Sequence, residues 1–128
     1  MSIHILLRKA DQACTSAQTL LNAGDVDGAC NRAYYVMFDA ARACLMARGF
    51  DLGKTHKGVL SAFSEHLIKS GFVARDLGRL LKRAEAFRYV ADYESGSIAA
   101  DDARCLVDQA EVFVQAMHDA CDDLSKPA

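Results

Sequence analysis

The sequence predicts an all-α fold, an antiparallel bundle of about five helices. Apolar residues recur at steps of three and four along five separate segments, and no segment keeps the period of two that a half-buried strand requires. The chain has one proline in 128 residues, so little interrupts these segments. The connections between them are short, and we therefore expect consecutive helices to pack antiparallel.

The first two helices have clear ends. The first carries one apolar stripe and stops at Gly24, because glycine accepts the left-handed conformation of a helix C-terminus. Asp25 is predicted to cap the second helix, which runs to about Arg48 with Gly49 beyond it. The second helix is apolar over so much of its surface that we expect it at the centre of the bundle.

Three more helices follow in the sequence. A shorter third helix ends at Gly71 and carries apolar residues every four positions, at Val59, Phe63 and Leu67. The fourth reaches AEAFRYVADYES, residues 84–95, and Gly96 breaks it. The fifth has the most regular apolar pattern, over residues 103–124, with acidic side chains in its first turn where the helix dipole favours them.

The composition is typical of one globular domain, residues 1–128, with a core over about 3–120 and a short acidic tail. Hydrophobic residues make up 52% and charged residues 25% of the chain. Five cysteines lack CxxC or zinc-ligand spacing, so we interpret them as buried, reduced thiols. Neither a signal peptide nor a membrane span is recognisable, and we expect a cytoplasmic protein with no membrane partner.

Charge is distributed unevenly along the chain. The net charge of −2 argues against nucleic-acid binding by bulk electrostatics alone. The segment from Lys54 to Arg88, however, contains eight basic and three acidic residues. The segment from Asp92 to Ala128 contains nine acidic and two basic residues. The basic middle could attract phosphates. The alternative is that both regions are solvated faces of amphipathic helices.

Arg88, Asp92 and Tyr93 lie close together at the end of the fourth helix. Arg88 and Asp92 are four residues apart, so their side chains can pair on one helix face. Asp92 would fix the guanidinium plane, leaving other N–H donors for a phosphate or carboxylate. Tyr93 adds a phenol that can donate a hydrogen bond or stack on a base. The alternative is an exposed ion pair and a tyrosine that covers the end of the bundle.

A second cluster is NRAYYVMF, residues 31–38, in the second helix. Aromatic side chains at this density are more typical of a core than of a cofactor site, and Tyr34 is expected to pack inward. Asn31, Arg32 and Tyr35 point away from the main apolar stripe. We therefore take these three residues as candidates for ligand binding.

A third cluster is GKTHKG, residues 53–58. It lacks the four-residue gap between two glycines that a Walker phosphate loop requires. Thr55 is predicted to cap the third helix, and His56 in its first turn is a further candidate for ligand binding. The chain has no GxSxG, HExxH or GxGxxG motif, and we predict neither a metal nor a cofactor.

Taken in order, three segments resemble the HEPN superfamily: RAYYVMFDAARACL, KTHKG, and RYVADY with the acidic helix after it. The likeness spans residues 3–120 and is closest to small stand-alone members often paired with a minimal nucleotidyltransferase. It implies a helical bundle that commonly dimerises, with a composite cleft at the dimer interface. Many members are metal-independent ribonucleases, and in many two-gene systems the HEPN protein is the toxin and the nucleotidyltransferase the antitoxin.

The sequence departs from the catalytic motif of that superfamily. In active members an arginine is followed, after four to six residues, by a histidine that moves a proton at the ribose 2′-OH. Here the corresponding positions after Arg88 hold Tyr93, Glu94 and Ser95, and no other histidine stands at that spacing. Tyrosine, with an ordinary pKa of about 10, is a poor base at neutral pH. The tyrosine that accepts AMP in nucleotidyltransferase-paired relatives would fall at Ser95, so we do not transfer that modification to Tyr93.

Three hypotheses therefore remain open, and whether the protein is an enzyme depends on which holds. In the first it is a ribonuclease-like toxin with candidate catalytic residues Arg88, Tyr93 and Asp92. In the second it is a non-catalytic module, a homodimer that docks a nucleotidyltransferase or binds a nucleotide through Arg88, Arg32 and Tyr35. In the third it is a structural bundle only. The first two share one setting, a toxin–antitoxin-type pair.

Overall fold

The computed structural model describes residues 2–50 and 55–125, with side chains through Asp122. It contains five α-helices: α1 (Ile3–Asn22), α2 (Val26–Ala47), α3 (His56–Ala62), α4 (Arg75–Tyr93) and α5 (Ala100–Ser125). A π-helical segment, Phe63–Ile68, continues α3. The described ranges contain no strand, and the all-α prediction is confirmed. Gly53 and Lys54 of GKTHKG, and the predicted tail beyond Asp122, lie outside the described side chains.

Helix ends follow the capping residues of the sequence. The Asp25 carboxylate accepts a hydrogen bond from the Gly28 N–H at 2.8 Å, which starts α2 as predicted. The Thr55 hydroxyl accepts one from the Gly58 N–H at 3.2 Å, which confirms it as the cap of α3. After the C-terminus of α1, Gly24 has a φ of +87°, the left-handed conformation expected at that position.

The helix α2 lies at the centre of the molecule. It packs against α1, α4 and α5, as well as against α3. Its side chains from Ala29 to Leu45 include twelve that are buried, which explains why its sequence is apolar over most of its surface. The predicted central position is confirmed. Side chains of the outer helices can therefore pack against α2.

The third predicted helix changes type along its length. The Lys69 N–H donates to the Ser64 carbonyl at 3.0 Å, a bond across five residues instead of four. Val59, Phe63 and Leu67 are all buried and recur every four residues. On an α-helix, steps of four drift by about 40° each. A wider turn keeps all three side chains toward the core.

The end of α4 is fastened to the start of α2. The Asp27 carboxylate accepts hydrogen bonds from the Ser95 hydroxyl at 2.9 Å and from the Gly96 N–H at 3.1 Å. These bonds hold the last two turns of α4, which carry Arg88 and Asp92, beside the first turns of α2. Within the described ranges, no helix is both long and apolar enough to cross a membrane.

Candidate functional site

Arg88 and Asp92 form the ion pair that their spacing predicts. The Arg88 Nη1 lies 3.0 Å from the Asp92 carboxylate, and the two side chains are only 21% and 36% exposed. The same carboxylate receives a hydrogen bond of 3.5 Å from the Asn31 amide on α2. The pair is thus partly buried and tied to a second helix, which an exposed surface pair is not.

The contacts continue along α2 to a second guanidinium. The Asn31 carbonyl accepts hydrogen bonds from Arg32 Nε at 3.4 Å and Nη2 at 3.2 Å. The Arg32 guanidinium lies over the Tyr35 ring, 4.8 Å from its centroid. We call Arg88, Asp92, Asn31 and Arg32 the guanidinium network. One series of hydrogen bonds thus connects two cationic side chains, Arg88 of α4 and Arg32 of α2.

An aromatic cluster lies beneath this network. The Arg88 guanidinium is 5.0 Å from the centroid of the Tyr34 ring, and Tyr34 is fully buried. The Tyr34 hydroxyl is 3.0 Å from His56 Nδ1 of α3, and the imidazole also contacts the rings of Tyr35 and Phe38. Tyr34 therefore links Arg88 to His56 through its ring face and its hydroxyl.

The surroundings shift the pKa of both groups in this link. Burial raises the pKa of Tyr34, with a further upward contribution from Glu85 that Arg88 opposes. The phenol therefore keeps its proton at neutral pH. Burial also lowers the pKa of His56, and the Arg88 charge lowers it further while Glu85 acts in the opposite sense. The imidazole is therefore held in its neutral form over more of the pH range than a free histidine.

Arg88 retains hydrogen-bonding capacity for a ligand. Its side chain remains 21% exposed, and its ion pair with Asp92 is made through Nη1. Two braced guanidinium groups beside a neutral imidazole suit a planar or tetrahedral oxyanion, such as a carboxylate or phosphate. Within the described residues, no group of His, Cys, Asp or Glu is placed to hold a metal ion.

The structure brings together six of the seven residues that the sequence singled out: Arg88, Asp92, Asn31, Arg32, Tyr35 and His56. Tyr93 lies apart from them, 71% exposed, with its ring 4.6 Å from that of Tyr89. Tyr34 packs inward as predicted, but its bond to His56 was not predicted. Those two residues are 22 positions apart, so no local spacing could indicate the contact.

Two surface cavities formed by described residues do not include the guanidinium network. One of about 270 Å³ is formed by the segment before α4 and by α5, between Phe72 and Met117. Another of about 240 Å³ lies beside Phe87 and Ile98 at the end of α4. Arg88 lines neither of these cavities.

The helical bundle and its partly buried Arg–Asp pair define a class of small all-α proteins with paired arginine side chains near the surface. The chain belongs to the HEPN domain family, whose model matches residues 3–120. It is 32% identical to a UPF0332 protein of Thermotoga maritima over 93% of this chain and 90% of that protein. It is 33% identical to the UPF0332 protein glr0978 of Gloeobacter violaceus over 86% and 88% of the two chains. It is also 26% identical to "Putative toxin MJ0605" of Methanocaldococcus jannaschii, over 95% of this chain and 90% of that one.

Proposed function

We propose that this protein is the HEPN component of a two-gene toxin–antitoxin-type system and binds the phosphate of RNA or a nucleotide through Arg88. The guanidinium network carries the proposal, because Arg88 is oriented by Asp92 and Tyr34 while its side chain remains 21% exposed. An arginine oriented in this way binds phosphate oxygens at little cost in conformational entropy. Relatives whose names contain the word toxin support the biological setting.

The proposed partners are a second copy of the chain and a minimal nucleotidyltransferase that acts as antitoxin. A homodimer would form a cleft over the guanidinium network, where the Arg88 side chain is 21% exposed. The exposed Tyr89 and Tyr93 rings, 59% and 71% accessible, support a protein contact on the adjacent face of α4. A nucleotidyltransferase docked at the same cleft would compete with RNA for Arg88.

The protein either has ribonuclease-like activity, with Arg88, Asp92 and Tyr93 as candidate catalytic residues, or has lost that activity. One observation favours the alternative, a non-catalytic nucleotide- or partner-binding module. Tyr93 lies outside the guanidinium network, 71% exposed and against the ring of Tyr89. Arg88 would then hold a phosphate without a neighbouring tyrosine base.

The test is binding of 5′-AMP and of a short single-stranded RNA by the wild type and by Arg88→Ala. We expect the substitution to weaken binding by about tenfold or more, equivalent to about 1.4 kcal/mol. Lys69→Ala is the matched control, since Lys69 pairs with Glu65 at the same 3.0 Å but is 68% exposed. It should leave affinity unchanged. Equal affinity of wild type and Arg88→Ala for both probes would contradict the proposal.

Cleavage distinguishes the two forms of the proposal. RNA cleavage by the wild type that Arg88→Ala abolishes would establish the ribonuclease-like toxin. Binding without cleavage would establish the non-catalytic module. Sedimentation of the purified chain, alone and mixed with the nucleotidyltransferase encoded beside it, tests the dimer and the partner separately. A monomer that forms no such complex would contradict both assignments.

A further inference from the structure

The contact between Tyr34 and His56 determines where the imidazole carries its proton. The Tyr34 side chain is 0% exposed, and its hydroxyl is 3.0 Å from His56 Nδ1. A buried hydroxyl needs an acceptor for its hydrogen, because water cannot supply one. Among the described residues, Nδ1 is the acceptor that the hydroxyl reaches.

The phenol is the donor in this bond. Burial raises the pKa of Tyr34, so the hydroxyl retains its proton at neutral pH. If Nδ1 carried the hydrogen instead, the phenol would accept that bond and its own buried hydrogen would lack a partner among the described residues. Nδ1 therefore holds a lone pair. The single proton of the neutral ring must then be on Nε2.

We infer that Tyr34 is a positioning residue that fixes His56 as the Nε2–H tautomer, so that His56 offers a hydrogen bond to a ligand oxyanion instead of acting as a base. The identity of that oxyanion as a phosphate rests on the proposed function; the tautomer does not. A neutral Nε2–H has no lone pair for the proton of a ribose 2′-OH. The arrangement thus favours holding a phosphate oxygen over removing a proton.

The groups around the imidazole are consistent with a neutral donor. From α2, the rings of Tyr34, Tyr35 and Phe38 contact it; from α4, Arg88 and Glu85 act on it with opposite charges. Protonation at Nδ1 would reverse the bond to the Tyr34 hydroxyl, leave the phenol hydrogen without a partner among the described residues, and place a second cation near Arg88. These consequences disfavour the imidazolium.

The test reads the tautomer directly in the free protein. In the wild type labelled with ¹⁵N-histidine, long-range ¹H–¹⁵N spectra at neutral pH should show His56 with a protonated Nε2 and an unprotonated Nδ1. A protonated Nδ1 in the wild type would overturn the inference. Tyr34→Phe, which removes only the hydroxyl, should shift the population toward the other tautomer.

Tyr35→Phe is the matched control for the tautomer, because Tyr35 contacts the same ring edge-on without bonding Nδ1. It should leave Nε2 protonated. An unchanged tautomer in folded Tyr34→Phe would also overturn the inference. If Tyr34→Phe does not fold, the wild-type spectrum still decides.

Binding of 5′-AMP separates this inference from the proposed function. We expect Tyr34→Phe to lower affinity by about three- to tenfold, the effect of losing one oriented hydrogen bond. If the wild type shows the Nε2–H tautomer but binds neither AMP nor RNA, the inference stands and the proposed function fails. Binding that depends on Arg88 with a protonated Nδ1 gives the reverse result.

Discussion

Two regions of this molecule are built from the same kinds of side chain and differ mainly in burial. In the π-helical segment, Glu65 and Lys69 pair across four residues, and His66 stacks on Phe50 with ring centroids 4.1 Å apart. In α4, Arg88 and Asp92 pair across four residues, and His56 lies on a tyrosine ring. Both ion pairs are 3.0 Å long. The Glu65 and Lys69 side chains are 61% and 68% exposed, whereas those of Arg88 and Asp92 are 21% and 36% exposed.

This difference shows that spacing predicts a pair but not its role. The hydrogen bond from Lys69 lowers the pKa of Glu65, yet water and salt screen an interaction so exposed. Arg88 is instead covered on one side by the buried Tyr34 ring, and Asn31 bonds its carboxylate partner. A lower local dielectric strengthens each of these interactions and raises the cost of an unpartnered donor. The exposed Glu65–Lys69 pair therefore contributes little to the structure. The covered Arg88–Asp92 pair fixes the orientation of a guanidinium.

The largest expected effect comes from removing the ring in each region. Tyr34→Ala deletes a fully buried side chain between Arg88 and His56, and we expect it to lower the free energy of unfolding by about 3–5 kcal/mol. Phe50→Ala deletes a ring that is only partly buried, and the loss should be less than about half as large. Urea unfolding of both variants measures the two values. Equal losses would mean that the two regions are buried to the same extent.

A smaller effect is expected from the ion pairs themselves. A double-mutant cycle with Arg88→Ala and Asp92→Ala should give a coupling energy of about 1–2 kcal/mol, between the values typical of exposed and buried pairs. The matching cycle with Glu65→Ala and Lys69→Ala should give no coupling above experimental error. At about 1 M salt, where the Debye length is about 3 Å, the Arg88–Asp92 coupling should persist. No resolvable coupling between Arg88 and Asp92 would remove the distinction between the regions.

Much of the fold was predictable, because helix periodicity and capping are local properties of the sequence. Asp25 and Thr55 cap the helices as predicted, and the apolar surface of α2 correctly indicated its central position. The π-helical turn at Phe63–Ile68 was not predicted, since steps of four are compatible with an α-helix as well. Local pattern therefore gives the elements more reliably than their exact hydrogen bonding.

The site was predictable only where its contacts are local. The spacing of Arg88 and Asp92 indicated their pair, but it indicated the exposed pair of Glu65 and Lys69 equally well. The Tyr34–His56 bond and the link from Asn31 to Asp92 join different helices, 22 and 61 residues apart in sequence. Such contacts depend on how α2, α3 and α4 pack, and this packing cannot be inferred from local spacing in one sequence.

The smallest effect concerns pH and tests whether burial at His56 is as strong as the comparison requires. Burial and Arg88 lower the pKa of His56 in the folded protein, whereas in the unfolded chain it titrates at about 6.5. As pH falls below about 6.5, the unfolded state takes up the proton first, so the protein should lose stability until pH reaches the lower, folded-state pKa. Above pH 6.5 or so, His56 should contribute no pH dependence.

Urea midpoints of the wild type and His56→Gln, compared at about pH 7.5 and about pH 5.5, isolate this contribution because all other titrating groups are shared. The wild type should lose more stability than His56→Gln over that interval, and an identical loss would show that the imidazole is no less readily protonated in the fold than in the unfolded chain.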